Sequence, residues 1–368
     1  MIRPLWIEVS LKQLSRNLEA IRKRLKPNVK VIATIKQSAY GHGLIPVARE
    51  LSLRGIDFFG VGSIEEAIAL REDGFAGSII VLSAVLDKYA DFFVRYKVIP
   101  SVVDIKFISK LNKEASKINK VMPVHIKIDT GMGRLGFTYR RANFLVKQLK
   151  GFKNIKIEGV YTHFPVADSD PDFTNCQIGN FNKFIKELGK VGIIPEFRHC
   201  ANSIGLINYT HAHFNMVRPG LILYGVKPDP AVRFNVKPVL SLKSKVIFVK
   251  KVEKNTSIGY GRTFFSKRSG CIATVAAGYA DGYPWALSNR SRVIINGSFF
   301  RIAGRVCMDH IMVEVGGRKK VFAGDDVILI GKHKNLKITA EDLARLSGTI
   351  PYEIISRLSL KIPRIYKS

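Results

Sequence analysis

The sequence predicts an α/β protein with two domains, an N-terminal (β/α)₈ TIM-type barrel and a C-terminal mainly-β domain. Eight short apolar runs alternate with helix-period segments over about 230 residues, and strands without long helices between them follow. With 368 residues, 46% of them hydrophobic, the chain can bury a large core. A doubly wound parallel sheet is the alternative for the first part. We place the domains at 1–232 and 233–368, with residues 1–10 free to pack with the second domain.

The predicted barrel strands are short runs of apolar and β-branched residues. Helical patterns such as "LIPVARELSLRG", "IEEAIALREDG" and "FNKFIKELGKVG" separate them, several ending at the glycine expected just past a helix. The strands are predicted at 29–36, 58–62, 78–83, 98–101, 123–129, 155–163, 196–201 and 215–218.

The second domain is predicted from strands joined by turns. The segments "PVLSLKSKVIFVKKV", "CIATVAAGYA" and "SRVIINGSFFRIAGRV" are strand-like, and Asn296-Gly297 is a strong hairpin signal. A short helix follows in "TAEDLARLSG", where Thr339 and Asp342 have capping-box spacing and Gly348 lies past the end.

Composition and charge narrow the class of protein. Four widely spaced cysteines form no C-x-x-C pair, which predicts a reducing cytoplasm and no metal site. There is no secretory signal and no apolar run near the roughly 20 residues of a membrane span. The net charge of +30 leaves a nucleic-acid or membrane-surface protein as a second hypothesis. Because the basic residues alternate with apolar helix positions, we expect solvated helix faces and neither partner.

Polar side chains follow the ends of several predicted barrel strands, where barrels carry their active sites. They are Lys36, residues 129–134, His163, Asn202–Ser203 and residues 218–220. A lysine partly withdrawn from water has a lowered pKa and can form a Schiff base with an aldehyde. If the aldehyde is pyridoxal phosphate, the turns "ANS" and "RPG" can supply N–H groups and a hydroxyl to the phosphate.

The stretch "GMGRLG" (131–136) matches a dinucleotide-binding fingerprint and keeps a nicotinamide enzyme open as an alternative. It follows a predicted strand, and Glu158 lies about 20 residues on. However, Arg134 occupies the loop, and the match lies deep in a run of βα units rather than opening one. The pattern alone is a weak indication.

Nine motifs together resemble those of the alanine racemase family, in order and spacing. They are "KQSAYGHG", "HIKIDTGMGRLGF", "GVYTHF", "HCANS", "MVRPGLILYG", "SIGYGRTF", "AAGYADGYP", "GRVCMDHIMV" and "GTIPYEI". The resemblance extends from "RPLWIEVSL" almost to the C-terminus. It implies a cytoplasmic pyridoxal-phosphate enzyme that interconverts L-alanine and D-alanine by two-base proton exchange at Cα and supplies D-alanine for peptidoglycan. It also implies a homodimer in which each active site borrows residues from the other subunit's second domain.

The resemblance assigns roles to individual residues. Lys36 would be the Schiff-base lysine, and Tyr260 the catalytic tyrosine supplied by the partner chain. His163 would link that tyrosine to Arg218, which faces the pyridine nitrogen. The remaining positions are Tyr40, Ser203, Gly220, Leu221 and Tyr352 for the phosphate, Arg134 and the Met308 backbone for the substrate carboxylate, and Lys127 (often carbamylated), Tyr279 (an entrance tyrosine) and Asp309 in support.

Two other pyridoxal-phosphate functions stay open. A decarboxylase of basic amino acids could use Cys307 as a proton donor, but such enzymes are expected to place a glutamate where Arg218 stands. A non-catalytic barrel-only protein would leave residues 233–368 unexplained. Departures from the family pattern, "KQS" after the lysine position and Pro165, bear on substrate preference more than on reaction type.

Overall fold

The computed structural model describes residues 3–228, 232–317 and 320–368. The strands in this part of the chain are β1 Leu5–Ser10, β2 Lys30–Thr34, β3 Phe58–Val61, β4 Ser78–Val81, β5 Ile99–Val102, β6 Met122–Asp129, β7 Phe137–Thr138, β8 Ile155–Tyr161, β9 Phe197–His199, β10 Met216–Val217, β11 Leu240–Val252, β12 Ser257–Ile258, β13 Phe264–Phe265, β14 Gly270–Val275, β15 Arg292–Ile295, β16 Ser298–Ile302, β17 Ile311–Glu314, β18 Asp326–His333, β19 Leu336–Ile338 and β20 Arg364–Lys367. The right-handed α-helices are α1 Leu11–Arg22, α2 Leu44–Leu53, α3 Ile64–Glu72, α4 Ala90–Tyr96, α5 Ile105–Lys117, α6 Ala142–Leu149, α7 Pro171–Lys190, α8 Ser203–Asn208, α9 Ala340–Ser347 and α10 Pro351–Ser356.

The chain divides into two compact units. One comprises Leu18–Ala39 and Leu44–Leu223, and the other Met1–Asn17, Tyr40–Gly43 and Tyr224–Ser368. We call them the barrel unit and the second unit.

The barrel unit is a nearly closed parallel barrel of eight strands, which confirms the predicted fold class. Its strand order is β10-β2-β3-β4-β5-β6-β8-β9, and all pairings are parallel. A hydrogen bond from Arg218 N to Ala201 O (2.9 Å) joins the segments that follow β10 and β9. Apolar side chains from successive strands fill the interior, among them Ile32, Ile80 and Phe197. The strand ends therefore meet at one rim.

The predicted strands extend too far at most of their C-terminal ends. The first was predicted to end in Lys36 but ends at Thr34. From Gln37 to Tyr40 four consecutive residues have φ between 51° and 54°, a left-handed turn. Similarly, β8 ends at Tyr161, before His163, and β10 ends at Val217, before Arg218. The polar rim residues thus lie in turns, where their backbone no longer follows the sheet.

The second unit is an antiparallel sheet to which the N-terminus contributes a strand. Its order is β19-β18-β15-β16-β17-β14-β11-β1-β20, and an additional β18–β11 pairing closes part of the sheet on itself. The N-terminal strand β1 pairs with β11 and, in parallel, with β20. The segment Tyr40–Gly43 also belongs here, because Arg364 Nε donates to Gly41 O at 2.9 Å.

Local signals in the second unit are confirmed. β15 and β16 form a hairpin through Asn296 and Gly297, whose φ values of 47° and 70° fit a type I′ turn. The helix α9 has the reciprocal Thr339–Asp342 capping box and a left-handed Gly348 at its end. Among the residues described, we find no helix long and apolar enough to cross a bilayer.

Candidate active site

Positive side chains gather where the barrel strands end. Lys36 follows β2, Lys127 lies within β6, and Arg218 directly follows β10. Lys127 is only 3% exposed and Arg218 only 5%. Burial lowers the pKa of Lys36, and the positive charge of Arg134 lowers it further. The cluster can therefore bind an anion and holds an amine that gives up its proton more readily than usual.

Of the two lysines, Lys127 has the more strongly lowered pKa. Burial lowers its pKa from 10.5 to about 8, assisted by Arg134 and Arg218 and opposed by Asp129. Its Nζ lies 5.5 Å from the centre of the Tyr161 ring. At pH 7 roughly a tenth of this amine is therefore neutral, and so nucleophilic, whereas an ordinary lysine is almost entirely protonated.

Arg218 is held by neutral acceptors. Its Nη1 donates to the backbone oxygen of His199 (2.8 Å) and to the imidazole Nδ1 of the same residue (2.6 Å). Its Nη2 donates to the oxygens of Thr162 (2.6 Å) and Cys200 (3.0 Å). A guanidinium has five N–H groups. Four are used, so within the described part of the chain Nε–H is the donor left for a ligand.

Within this chain, the imidazole hydrogen-bonded to Arg218 is that of His199. His199 makes that bond, whereas no hydrogen bond joins the His163 side chain to Arg218 among the described residues. His163 lies close enough to be affected electrostatically, since burial first and then Arg218 and Lys127 hold its pKa well below the usual value. The proposed link from Tyr260 through His163 stays a prediction.

Three residues predicted to bind a phosphate lie together at the ends of β9 and β10. The buried Ser203 hydroxyl accepts a hydrogen bond from Gly220 N at 3.1 Å, and Leu221 beside them is fully buried. Asn202 positions this turn, because its side chain accepts from Gly205 N at 2.9 Å and donates to Phe164 O at 3.2 Å.

The loop that resembles a dinucleotide fingerprint is organised differently. Asp129 Oδ1 accepts hydrogen bonds from the backbone N–H groups of Gly131 (2.9 Å) and Gly133 (3.1 Å). These are the amides that would have to contact a pyrophosphate. Glu158, the expected ribose ligand, instead lies 3.4 Å from the buried His125. Arg134, which follows these glycines in the loop, is exposed.

The second unit brings together the two tyrosines assigned to the phosphate. The Tyr40 and Tyr352 rings are 6.3 Å apart, and Tyr40 also packs against Tyr224 at 5.1 Å. Burial, and secondarily the neighbouring Tyr352, raises the pKa of Tyr40, so its hydroxyl stays protonated and can donate a hydrogen bond.

The remaining predicted residues, Tyr260, Tyr279, Met308 and Asp309, belong to the second unit and are exposed. Ala280 N bonds to Met308 O at 3.1 Å, which places Tyr279 beside Met308 and Asp309. Asp309 forms an ion pair with Arg3 at 3.6 Å. Tyr260 is 71% exposed. Burial raises the pKa of the half-buried Cys307 thiol, so it is a weak acid.

Two protein-family models match this chain, one for each part of it. The description "Alanine racemase, N-terminal domain" matches residues 9–228, and "Alanine racemase, C-terminal domain" matches residues 239–366. The chain belongs to the alanine racemase family. It is accordingly an isomerase that acts on amino acids.

Relatives and solved structures of the alanine racemase family agree along the whole chain. The alanine racemase of Halothermothrix orenii is 42% identical, covering 100% of this chain and 97% of its own. That of Treponema denticola is 40% identical, covering 97% of each chain. The structure of the Bacillus anthracis enzyme with bound L-Ala-P superposes with a TM-score of 0.93 at 34% identity, covering 100% of this chain and 95% of that one.

A histidine racemase from Leuconostoc mesenteroides has the same fold, with a TM-score of 0.90 at 26% identity and 100% and 98% coverage. The fold of the alanine racemase family therefore accommodates different amino-acid side chains.

Some residues of this alanine-racemase-type site were assigned no role from the sequence. They are Glu66, His125, Tyr161 and His199. A signal existed for one of them: His125, Lys127 and Asp129 alternate along β6 and so share one face of the strand. No local pattern could have shown that His199 meets Arg218.

Proposed function

We propose that the chain interconverts L-alanine and D-alanine with pyridoxal phosphate as cofactor. The observation that supports this most directly is the buried Arg218, whose four Nη hydrogen atoms are bonded to uncharged acceptors. A guanidinium cannot share its proton with a ring nitrogen. With the cofactor bound, Arg218 Nε–H would be the donor available to the ring nitrogen, and it would leave that nitrogen unprotonated and so a weaker electron acceptor.

The residues of the chain fit this cofactor. Lys36 would supply the amine, and Ser203, the Leu221 backbone, Tyr40 and Tyr352 would supply hydrogen-bond donors for the phosphate. The backbone N–H of Gly220 donates to the Ser203 oxygen at 3.1 Å and would hold that hydroxyl in place. The surrounding cations suit its negative charge. When bound, pyridoxal phosphate withdraws electrons from the substrate Cα and so makes its proton easier to remove.

Proton transfer is assigned to Lys36 and Tyr260. Lys36, whose pKa is lowered by burial and by Arg134, takes or returns the Cα proton on one face of the substrate. Tyr260, contributed by the second unit of the partner chain, does the same on the opposite face, and the exchange inverts the centre. The exposure of Tyr260 within its own unit leaves its hydroxyl free for this role.

Arg134 and the Met308 backbone are assigned to the substrate carboxylate. Arg134 is exposed on its loop and needs a partner to fix its orientation. A carbamate on Lys127 would provide that negative charge, and the lowered pKa of Lys127 favours its formation because the neutral amine is the reactive form. Tyr279 and Asp309, which lie beside Met308, would help to position this backbone segment.

The compartment, the oligomeric state and the metabolic role are proposed from the resemblance to alanine racemases. We place the enzyme in the cytoplasm as a homodimer that takes alanine as its small-molecule substrate and supplies D-alanine for peptidoglycan. Neither nucleic acid nor a membrane is needed as a partner. The decarboxylase alternative is disfavoured because an arginine stands at position 218, where such enzymes are expected to carry a glutamate.

The test is incubation of L-alanine with the purified protein and pyridoxal phosphate in D₂O, followed by chiral and mass analysis. We expect deuterated D-alanine to approach equal amounts with the L-form, and Lys36→Ala to abolish exchange. L-Serine and L-histidine should be assayed in parallel. Turnover of one of these without alanine exchange would contradict the substrate assignment, and no exchange with any amino acid would contradict the reaction.

A further inference from the structure

A series of polar side chains in contact with one another extends from Arg218 away from the rim of the barrel. His199 Nδ1 is 2.6 Å from Arg218 Nη1, and His199 Nε2 is 2.8 Å from His125 Nδ1. His125 Nε2 lies 3.4 Å from Glu158 Oε2. Both imidazoles are completely buried. None of the three residues beyond Arg218 has a role in the proposed proton transfer.

The strands β6 and β8 are irregular where this series of side chains lies. Between Val124 and His125 the register of β6 and β8 shifts, so that Glu158 is an extra residue in β8. Opposite His125 stands Gly159, where an added Cβ would lie 2.5 Å from the imidazole ring. A glycine is therefore required at this position for His125 to fit. On the other side, the Tyr161 ring stacks on His199 at 4.8 Å and an angle of 4°.

Hydrogen-bond chemistry determines where each imidazole carries its proton. Arg218 can only donate, so His199 Nδ1 must accept. Burial lowers the pKa of both histidines, so each is neutral at neutral pH and has one ring proton. The proton of His199 is then on Nε2 and is donated to His125 Nδ1. The proton of His125 is consequently on Nε2, facing Glu158.

The last contact in the series joins two polar groups, one on His125 and one on Glu158, that have no hydrogen-bond partner among the described residues. His125 Nε2 and Glu158 Oε2 are both buried, and neither makes a hydrogen bond within the described part of the chain, so at 3.4 Å they are joined by an electrostatic contact. Buried polar atoms without partners are rare in folded proteins. The arrangement orients every acceptor toward the guanidinium and places a carboxylate at the far end, where Glu196 is the other carboxylate that acts on His125.

We propose that Glu158, His125 and His199 are positioning residues for Arg218. Two hydrogen bonds with the same donor direction join Arg218 to His199 and His199 to His125, and the electrostatic contact with Glu158 ends the series. Together they fix the guanidinium and balance its buried charge. The inference rests on the proposed function only for its effect on the cofactor, since the contacts from Glu158 to Arg218 are present in the protein without it.

The direct test is nitrogen NMR of cofactor-free protein labelled with ¹⁵N-histidine. The two signals would be assigned by comparison with His125→Asn and His199→Asn. We expect both imidazoles to be neutral with the proton on Nε2 from about pH 8 to about pH 7. A proton on Nδ1 in either ring, or an imidazolium in this range, would overturn the proposal whether or not the protein is a racemase.

The functional test compares Glu158→Gln with Glu187→Gln, which changes a half-buried carboxylate paired with the exposed Lys190 on α7. Glu158→Gln should bind pyridoxal phosphate about tenfold more weakly and lower kcat by a similar factor, with little change in KM for alanine. The absorbance of the bound cofactor should change only in this variant. His199→Asn, which keeps an acceptor for Arg218, should retain more function than His199→Leu. The proposal fails if Glu158→Gln and Glu187→Gln behave alike.

Discussion

Lys127 shows how burial changes the chemistry of a single residue. It lies on a strand between other inward-facing polar residues, and three nearby cations (Lys36, Arg134 and Arg218) oppose its own charge. An ordinary surface lysine is almost fully protonated at neutral pH, whereas this one is not. Two predictions follow from this difference.

Lys127 should carry a carbamate when carbon dioxide is present, because its neutral amine can react and the product would be surrounded by cations. The measurement is ¹³C NMR after incubation with ¹³C-labelled bicarbonate, which should show one carbamate resonance. Lys127→Met should lose this resonance, whereas Lys156→Met, at an exposed position of β8, should retain it. Absence of the resonance in the unaltered protein would rule out the modification under these conditions.

Lys127→Met should also stabilise the cofactor-free protein in buffer free of carbon dioxide. The pKa is about 8 in the folded chain against a model value of 10.5. Since the folded pKa is the lower one, the protonated lysine destabilises the fold fully below pH 8, and this cost disappears as the pH rises to 10.5. We expect Met to raise the free energy of unfolding by about 3 kcal/mol at neutral pH and by little at high pH. Urea unfolding at several pH values measures this, and an equal difference at all of them would contradict the assignment.

At the scale of elements, the left-handed turn after β2 is held by a helix. Left-handed conformations cost about 1–2 kcal/mol for each residue other than glycine. Glu66, in the first turn of α3, accepts hydrogen bonds from the backbone N–H of Ser38 (2.8 Å) and of Gly62 at the end of β3 (2.9 Å). One carboxylate thus connects the turn that follows Lys36 to the neighbouring strand.

Glu66→Ala should lower the free energy of unfolding by about 2 kcal/mol, because two backbone donors lose their acceptor. Glu66→Gln, which keeps one acceptor oxygen, should lose less. Glu65→Gln is the matched control, since Glu65 is exposed one position earlier on the same helix. Chemical unfolding of the three variants provides the ranking. An Ala variant as stable as the control would show that the turn does not depend on this carboxylate.

At the scale of the whole molecule, the proposed active site needs two chains. Lys36 belongs to the barrel unit and Tyr260 to the second unit. The resemblance to alanine racemases implies that each site combines a Lys36 with the Tyr260 of the other subunit. The net charge of +30 is spread over the surface and has no assigned partner.

Mixing Lys36→Ala with Tyr260→Phe should therefore restore activity. Each variant alone has two defective sites, whereas a mixed dimer has one site with both residues intact. After denaturation and refolding together, random pairing should give about one quarter of the unaltered activity. Activity no higher than the sum of the separate variants would indicate that both residues come from one chain or that Tyr260 is not a catalytic base.

The sequence by itself determined the features that depend on neighbouring residues or on a pattern along the chain. The alternation of apolar runs with helical segments gave the barrel, Asn296-Gly297 the hairpin, and Thr339 with Asp342 the capped helix. The family motifs added the candidate residues, because their order and spacing extend over both parts of the chain.

Only the tertiary structure decided which distant groups meet. It ended β2 before Lys36, paired β1 with β11 and β20, and placed His199 in a hydrogen bond with Arg218. It also lowered the pKa of Lys127, because that value depends on burial and on charges contributed by other strands and loops. Such contacts join residues far apart in the chain, so no local pattern encodes them. They exist only once the barrel brings its strand ends together.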